Sequence, residues 1–219
     1  PVRDVRRREL TVDVDTSVTP LFGEQEGAHV GYNPRYHGRP SYHPIFARIA
    51  ETDTVLGARL REGDNRIGER DVEDIEQWLG RLHAAARNAV VTVRIDSGGD
   101  CAALLSAVER SHAYFLVKAK LTANLASAVF AANNWRTIDR DAFDKPTRQV
   151  AVIDFERDDW PPGRYRVFAV RTNERDSGKQ VCLWDDLDYS VHVYITNDKD
   201  RDIDELARAY DGRAAIEPL

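Results

Sequence analysis

The sequence predicts an α/β fold, a mixed sheet with flanking helices that is interrupted by a β-rich insertion before its last helix. Three observations carry that prediction. Leu10–Val18 (LTVDVDTSV) alternates apolar and polar residues with period two, the mark of a strand with one buried face. Glu69–Asn88 repeats Val72, Ile75, Leu79, Leu82 and Ala86 at three- and four-residue steps, the stripe of an amphipathic helix. Val90–Asp96 (VVTVRID) is a β-branched run closed by Ser97-Gly98-Gly99, as in a buried strand.

The other elements follow in chain order. Residues 1–9 read as a charged linker, and Thr19–Ser41, rich in Gly, Pro, His and Asn, reads as a long loop. Tyr42–Glu51 and Thr54–Arg61 alternate as strands around a two-residue turn, Thr52-Asp53. Asp100–Arg110 is a second helix and Ala113–Lys118 a further strand. Residues 10–118 thus run strand–strand–strand–helix–strand–helix–strand, the order of a ribonuclease H-like core that needs one more helix. Residues 119–200 read as the insertion, with strands at Thr147–Arg157, Arg164–Thr172, Gln180–Trp184 and Ser190–Thr196. The final core helix comes at 201–219, over Asp202–Glu217.

At 219 residues, with 42% apolar and 31% charged residues, the chain can bury a sizeable core. No apolar run reaches the ~18 residues of a membrane helix and no signal peptide opens the chain, so no membrane partner is expected. Cys101 and Cys182 stand away from each other and from any ligand spacing, which reads as reduced thiols in a cytoplasmic protein. The six histidines never fall at zinc-binding spacing. A net charge of −6 argues mildly against nucleic acid. Yet 26 of the 31 basic residues are arginine, the side chain suited to bidentate phosphate contacts, although genome base bias gives the same excess. The lack of any methionine marks the sequence as a piece of a longer translation product.

Three carboxylates stand where this architecture would let them meet. Asp15 ends the first strand, and Asp96 ends VVTVRID at the C-terminal edge, where open α/β sheets build their sites. On neighbouring strands the two would face each other across ~5 Å. Glu217 shares one face of the last helix with Tyr210 and Arg213, at i, i+3 and i+7. Such oxygen ligands suit Mg²⁺ or Mn²⁺. The bland alternative is three solvated carboxylates in a chain with 37 acids. Asp185, Asp186 and Asp188 form a denser cluster, but in a predicted turn, where Asp is common. In the long loop, Tyr32, Arg35, Tyr36, Arg39 and Tyr42 interleave aromatic and basic residues, which suits a nucleic-acid backbone and equally a solvated loop.

With these motifs in order, the chain resembles the DDE transposases of bacterial insertion sequences, most closely the 1380-type group. The resemblance is carried by TVDVDTSV, FGEQEGAHVGYNP, GRPSYHP, VRIDSG, LWDDLDYSVHVYITN and YDGRAAIE, the last fitting a Tyr-x-x-Arg-x-x-x-Glu signature. It implies a ribonuclease H-like catalytic domain performing metal-dependent DNA nicking and strand transfer at transposon ends. Asp15, Asp96 and Glu217 would be the catalytic and metal-binding residues, with spacings 96 − 15 = 81 and 217 − 96 = 121, the second long enough to hold the insertion. Asp15 is favoured over Asp13 because it lies two before the hydroxyl residue Ser17, where the family carries Thr; Asp13 would support Asp15 or bind nothing. Tyr210, Arg213, Arg35 and Arg39 become candidate DNA contacts, and Trp184 a candidate for stacking on a flipped base. The implied partners are double-stranded DNA, as transposon ends and as target, and a second copy of the chain when bound to DNA, in a bacterial cytoplasm. The signature's downstream Lys and the usual N-terminal end-binding region are absent from the sequence, which implies weak binding to cognate ends. The rival expectations are a nuclease on the same fold that cuts without joining and an inactive DNA-binding remnant.

Overall fold

The computed structural model describes residues 9–23, 25–33, 37–173 and 189–213. The chain divides into two compact units, Pro1–Phe115 and Leu116–Leu219. In chain order the first contains β1 (Glu9–Thr16), β2 (Thr19–Pro20), β3 (His29–Val30), β4 (Pro40–Tyr42), β5 (Ile45–Ile49), β6 (Thr54–Arg59), α1 (Val72–Ala85), β7 (Val90–Ile95) and α2 (Ala102–Arg110). Strand β8 (Tyr114–Lys118) spans the division between the units.

In the first unit β1 is an inner strand. It pairs antiparallel with β5 and parallel with β7, and β6 extends the sheet antiparallel to β5. The alternating pattern of β1 predicts one buried face, but Asp13 on the other face is fully buried along with Leu10, Val12 and Val14. Both faces of β1 are covered here, which periodicity alone does not reveal. The β-branched run of β7 is buried from Val91 to Ile95, as predicted. Helix α1 buries Ile75, Trp78, Leu79 and Leu82, and α2 buries Leu104, Leu105, Ala107 and Val108. The Arg110 guanidinium on α2 donates to Glu76 on α1 at 2.7 Å.

Two local predictions need correction. The loop predicted over residues 19–41 contains β2 and β3, which with β4 form a small antiparallel sheet in the order β2–β4–β3. Strands of two and three residues are too short to produce a periodic signal. The hairpin between β5 and β6 is longer than two residues: Ile49 faces Thr54, leaving Ala50–Asp53 as the loop, with Asp53 at φ 59°. Asp tolerates that left-handed conformation better than most residues.

The second unit contains α3 (Ala123–Ala131), β9 (Arg136–Arg140), β10 (Pro146–Ile153), β11 (Arg166–Asn173), β12 (Tyr189–Thr196) and α4 (Ile203–Asp211). Its strands run β8–β12–β11–β10–β9, each antiparallel to its neighbour. The strands predicted near 147, 164 and 190 are present, whereas Gln180–Trp184 lies outside the described residues. Helix α3 and strand β9 were not expected. The apolar residues of ANLASAVFA do not form a clean stripe, and only Leu125 and Val129 are buried, so the short helix is marked chiefly by its Thr122 cap. Helix α4 packs Ile203, Leu206 and Ala207 on Leu116, Val150, Phe168, Val170 and Tyr194. Its polar edge is tied down by Arg148 to Asp211 at 2.8 Å, Arg208 to Asp139 at 2.8 Å, and Arg136 to Asp202 and Asp204.

The approach to α4 turns on Asp198, which is 2% exposed. Its Oδ1 accepts the N–H groups of Asp200 and Arg201 at 3.0 Å each, and the Arg201 guanidinium donates to Oδ2. Burial alone would raise this carboxyl, but the Arg201 N–H and guanidinium outweigh it and hold the group below its ordinary value. Such a carboxyl contributes stability above its unfolded value of about 3.9, and the contribution is lost as pH falls through the lower folded value. Asp198→Asn should therefore lower stability at pH 7 by about 1–2 kcal/mol. It should also flatten the acid decline below about pH 4, which urea titrations at neutral and acid pH will measure.

Candidate active site

Parallel pairing of β1 with β7 sets Asp13 against Arg94 and Val14 against Ile95, so Asp15 and Asp96 occupy the next step. Residues two apart share a face of a strand. Asp13, Arg94, Asp15 and Asp96 therefore form a two-by-two array on one face, at the C-terminal ends of two neighbouring strands. The strands that lead into Asp15 and Asp96 are therefore neighbours.

The inner row is an ion pair. Asp13 is 0% exposed, and the Arg94 side chain, 6% exposed, reaches it in a fork: Nε to Oδ1 at 2.6 Å and Nη2 to Oδ2 at 2.7 Å. Of the two roles left open for Asp13, neither named this partner. The outer row is half-buried. Asp15 Oδ1 accepts the N–H of Thr16 at 2.9 Å, and Asp15 stands opposite Phe46 of β5. Asp96 Oδ1 accepts the N–H of Gly98 at 2.9 Å, capping a single 3-10 turn, Ser97–Gly99. Each carboxylate thus accepts a backbone N–H, and carboxylate oxygens are the hard donors that Mg²⁺ and Mn²⁺ take.

The glycines after Asp96 do more than end a strand. A Cβ on Gly99 would lie 2.4 Å from Cγ2 of buried Ile95, and one on Gly98 would lie 2.9 Å from Oδ1 of Asp96. The turn folds back tightly over Ile95 because Gly99 lacks a side chain, whereas at Gly98 the close approach is to the tip of Asp96 alone.

The remaining predicted site residues are scattered over the described chain or lie beyond it. Glu217, Arg35 and Trp184 are outside the described residues, as are Asp185, Asp186 and Asp188. Tyr210 is half-buried on α4 with its ring 4.5 Å from that of Tyr194. Burial, then the neighbouring Tyr210 and Asp211, hold the Tyr194 phenol far above its ordinary value. Arg213 follows α4 and is half-buried. Arg39 is exposed beside β4 in the small sheet, its guanidinium 5.0 Å from the Phe22 ring centroid. Trp78 and Trp160 are buried, and Trp135 is half-buried under the Arg171 guanidinium at 4.3 Å. Among the described residues, no group of three His, Cys, Asp or Glu side chains could hold a metal ion.

Arg94 is the residue that sequence reasoning missed. Its signal was an arginine inside a run otherwise fit for burial, which demands a buried acid elsewhere. The offsets match as well: Asp13 precedes Asp15, and Arg94 precedes Asp96, by two residues.

The model of the transposase DDE domain group 1 family matches residues 4–219. The chain belongs to that family. A piggyBac transposase, solved as a synaptic complex with hairpin DNA, shares the fold with a TM-score of 0.53 at 8% identity, over 94% of this chain. The chain spans 39% of that transposase's length. An endonuclease V from Ciona intestinalis, solved with a 23mer DNA, matches 93% of this chain and 76% of its own at 9% identity, with a TM-score of only 0.34. No functionally curated protein matches the chain significantly. The expected fold class, a mixed α/β fold of the ribonuclease H-like transposase kind, therefore stands.

The two glycine positions should separate in stability. Gly99→Ala should cost about 1–3 kcal/mol, because a buried isoleucine must shift. Gly98→Ala should cost less, because only the tip of Asp96 has to move. Denaturant midpoints of the two variants measure the difference.

Proposed function

We propose that the chain is the catalytic domain of a DDE transposase of the 1380-type group, nicking DNA at transposon ends and joining them to target DNA. The observation that supports this reading is the parallel pairing of β1 with β7, the strands that lead into Asp15 and Asp96, in a chain matched almost throughout by the family model. Glu217, near the end of the chain, is the proposed third acid. The three carboxylates would hold Mg²⁺ or Mn²⁺. When bound, the ion activates the attacking oxygen and neutralises charge developing at the phosphodiester.

The protein's own contribution is position. Backbone N–H groups fix one oxygen of Asp15 and one of Asp96, so neither carboxylate has to be ordered when substrate arrives. Arg35, Arg39 and Arg213 are the proposed phosphate contacts, with Trp184 and Tyr210 as aromatic partners; such contacts set the register of DNA without reading its sequence. Tyr210 also braces α4 through Tyr194. The working form on DNA would be a homodimer, in a bacterial cytoplasm. No helix among the described residues is long and apolar enough to cross a membrane.

Asp96→Asn should lower Mg²⁺-dependent nicking of supercoiled plasmid by about 100-fold or more, with an unchanged circular dichroism spectrum. Full nicking by that variant would remove the assignment. Supplying pre-cut transposon ends then separates the two enzymatic readings: a transposase joins them to target DNA, and a nuclease leaves them unjoined.

A further inference from the structure

The Asp13–Arg94 pair is a costly way to hold two strands together. The rungs on either side, Val12 with Val93 and Val14 with Ile95, are apolar and buried, and would fix the register unaided. Replacing a buried ion pair by apolar residues of similar volume is often neutral or stabilising, so strand pairing alone does not account for these charges. Their position beside the outer carboxylates does. Arg94 lies on the same face as Asp15 and Asp96, one pleat away, about 7 Å along the strand. A guanidinium offers five donors and readily bridges carboxylates, so an unpaired Arg94 would compete for the place of a cation. The other arginine on this row, Arg48 of β5, stands opposite Asp13 and is likewise paired, with Asp53 in the β5–β6 loop.

We propose that Asp13 neutralises Arg94, and so favours a divalent cation at the carboxylates of Asp15 and Asp96. Asp13 is then a positioning residue, acting on the site through Arg94. The inference rests on the metal-binding reading of Asp15 and Asp96 given above.

Its signature is a difference in sign between two substitutions. A unit charge about 7 Å from the ion, at an effective dielectric near 20, changes divalent affinity by about tenfold or more. Titrating the whole chain with Mn²⁺, and following free Mn²⁺ by electron paramagnetic resonance, should show Asp13→Asn binding about tenfold or more weakly than the parent. Arg94→Gln leaves Asp13 as an additional negative charge and should bind as tightly as the parent or more tightly, even though the fold is weakened. The double variant Asp13→Asn/Arg94→Gln should return to within about threefold of the parent. If Asp13→Asn does not fold, Arg94→Lys, which keeps the charge but loses the planar fork, should weaken binding in the same direction. A purely structural pair would weaken Mn²⁺ binding in both single variants in step with their stability, and that result overturns the proposal. So does parent-like affinity in Asp13→Asn while Asp96→Asn has lost binding, an outcome that leaves the metal site standing. Absence of Mn²⁺ binding by the parent overturns both.

Discussion

A carboxylate with no exposed surface faces a guanidinium across two parallel strands, and much of the first unit depends on that contact. Burying either ion alone would cost several kcal/mol, so Asp13 and Arg94 tolerate burial only together. A slip of β1 against β7 by one residue would put each charge among apolar side chains and turn Asp15 and Asp96 to opposite faces. The pair therefore penalises wrong registers more heavily than it favours the right one. Asp15 and Asp96 follow two residues further along the same two strands.

The same chemistry recurs at the start of α1. Asp71, fully buried, receives two bonds from Arg61 Nη1, at 2.8 and 2.9 Å, and one from Arg59 at 2.9 Å. Arg59 also reaches Asp74 on α1. Burial holds the Arg61 guanidinium below its ordinary value, only partly opposed by Asp71. Together these contacts tether α1 to the end of β6. Arg136, Arg148, Arg201 and Arg208 act similarly around α4. The abundance of arginine, which suggested either phosphate recognition or base composition, thus has a third explanation: much of it holds this protein's own acids.

How much could be read beforehand depended on whether a signal was local. The stripe of α1, the β-branched run of β7 and the alternation of β1 are local patterns, and each element forms where they place it. The pairing of β1 with β7 was legible because the element order restricts which strands can be neighbours. The burial of Asp13 was not, because whether a strand has one covered face or two is decided by distant residues. The small sheet of β2, β3 and β4 escaped because its strands are too short for periodicity to register. Helix α3 escaped because alanines occupy most of its surface positions and give little contrast between its faces.

The two members of the inner ion pair are 81 residues apart in the chain. Closing so long a loop costs entropy before any contact rewards it, and pairings of this kind form slowly. During synthesis β1 is followed by β5 and β6 before α1 and β7, so its antiparallel partner is available first. Asp13 must wait, hydrated and without Arg94, until α1 and β7 have left the ribosome. This long-range pairing of the first unit can therefore close only once α1 and β7 have been made.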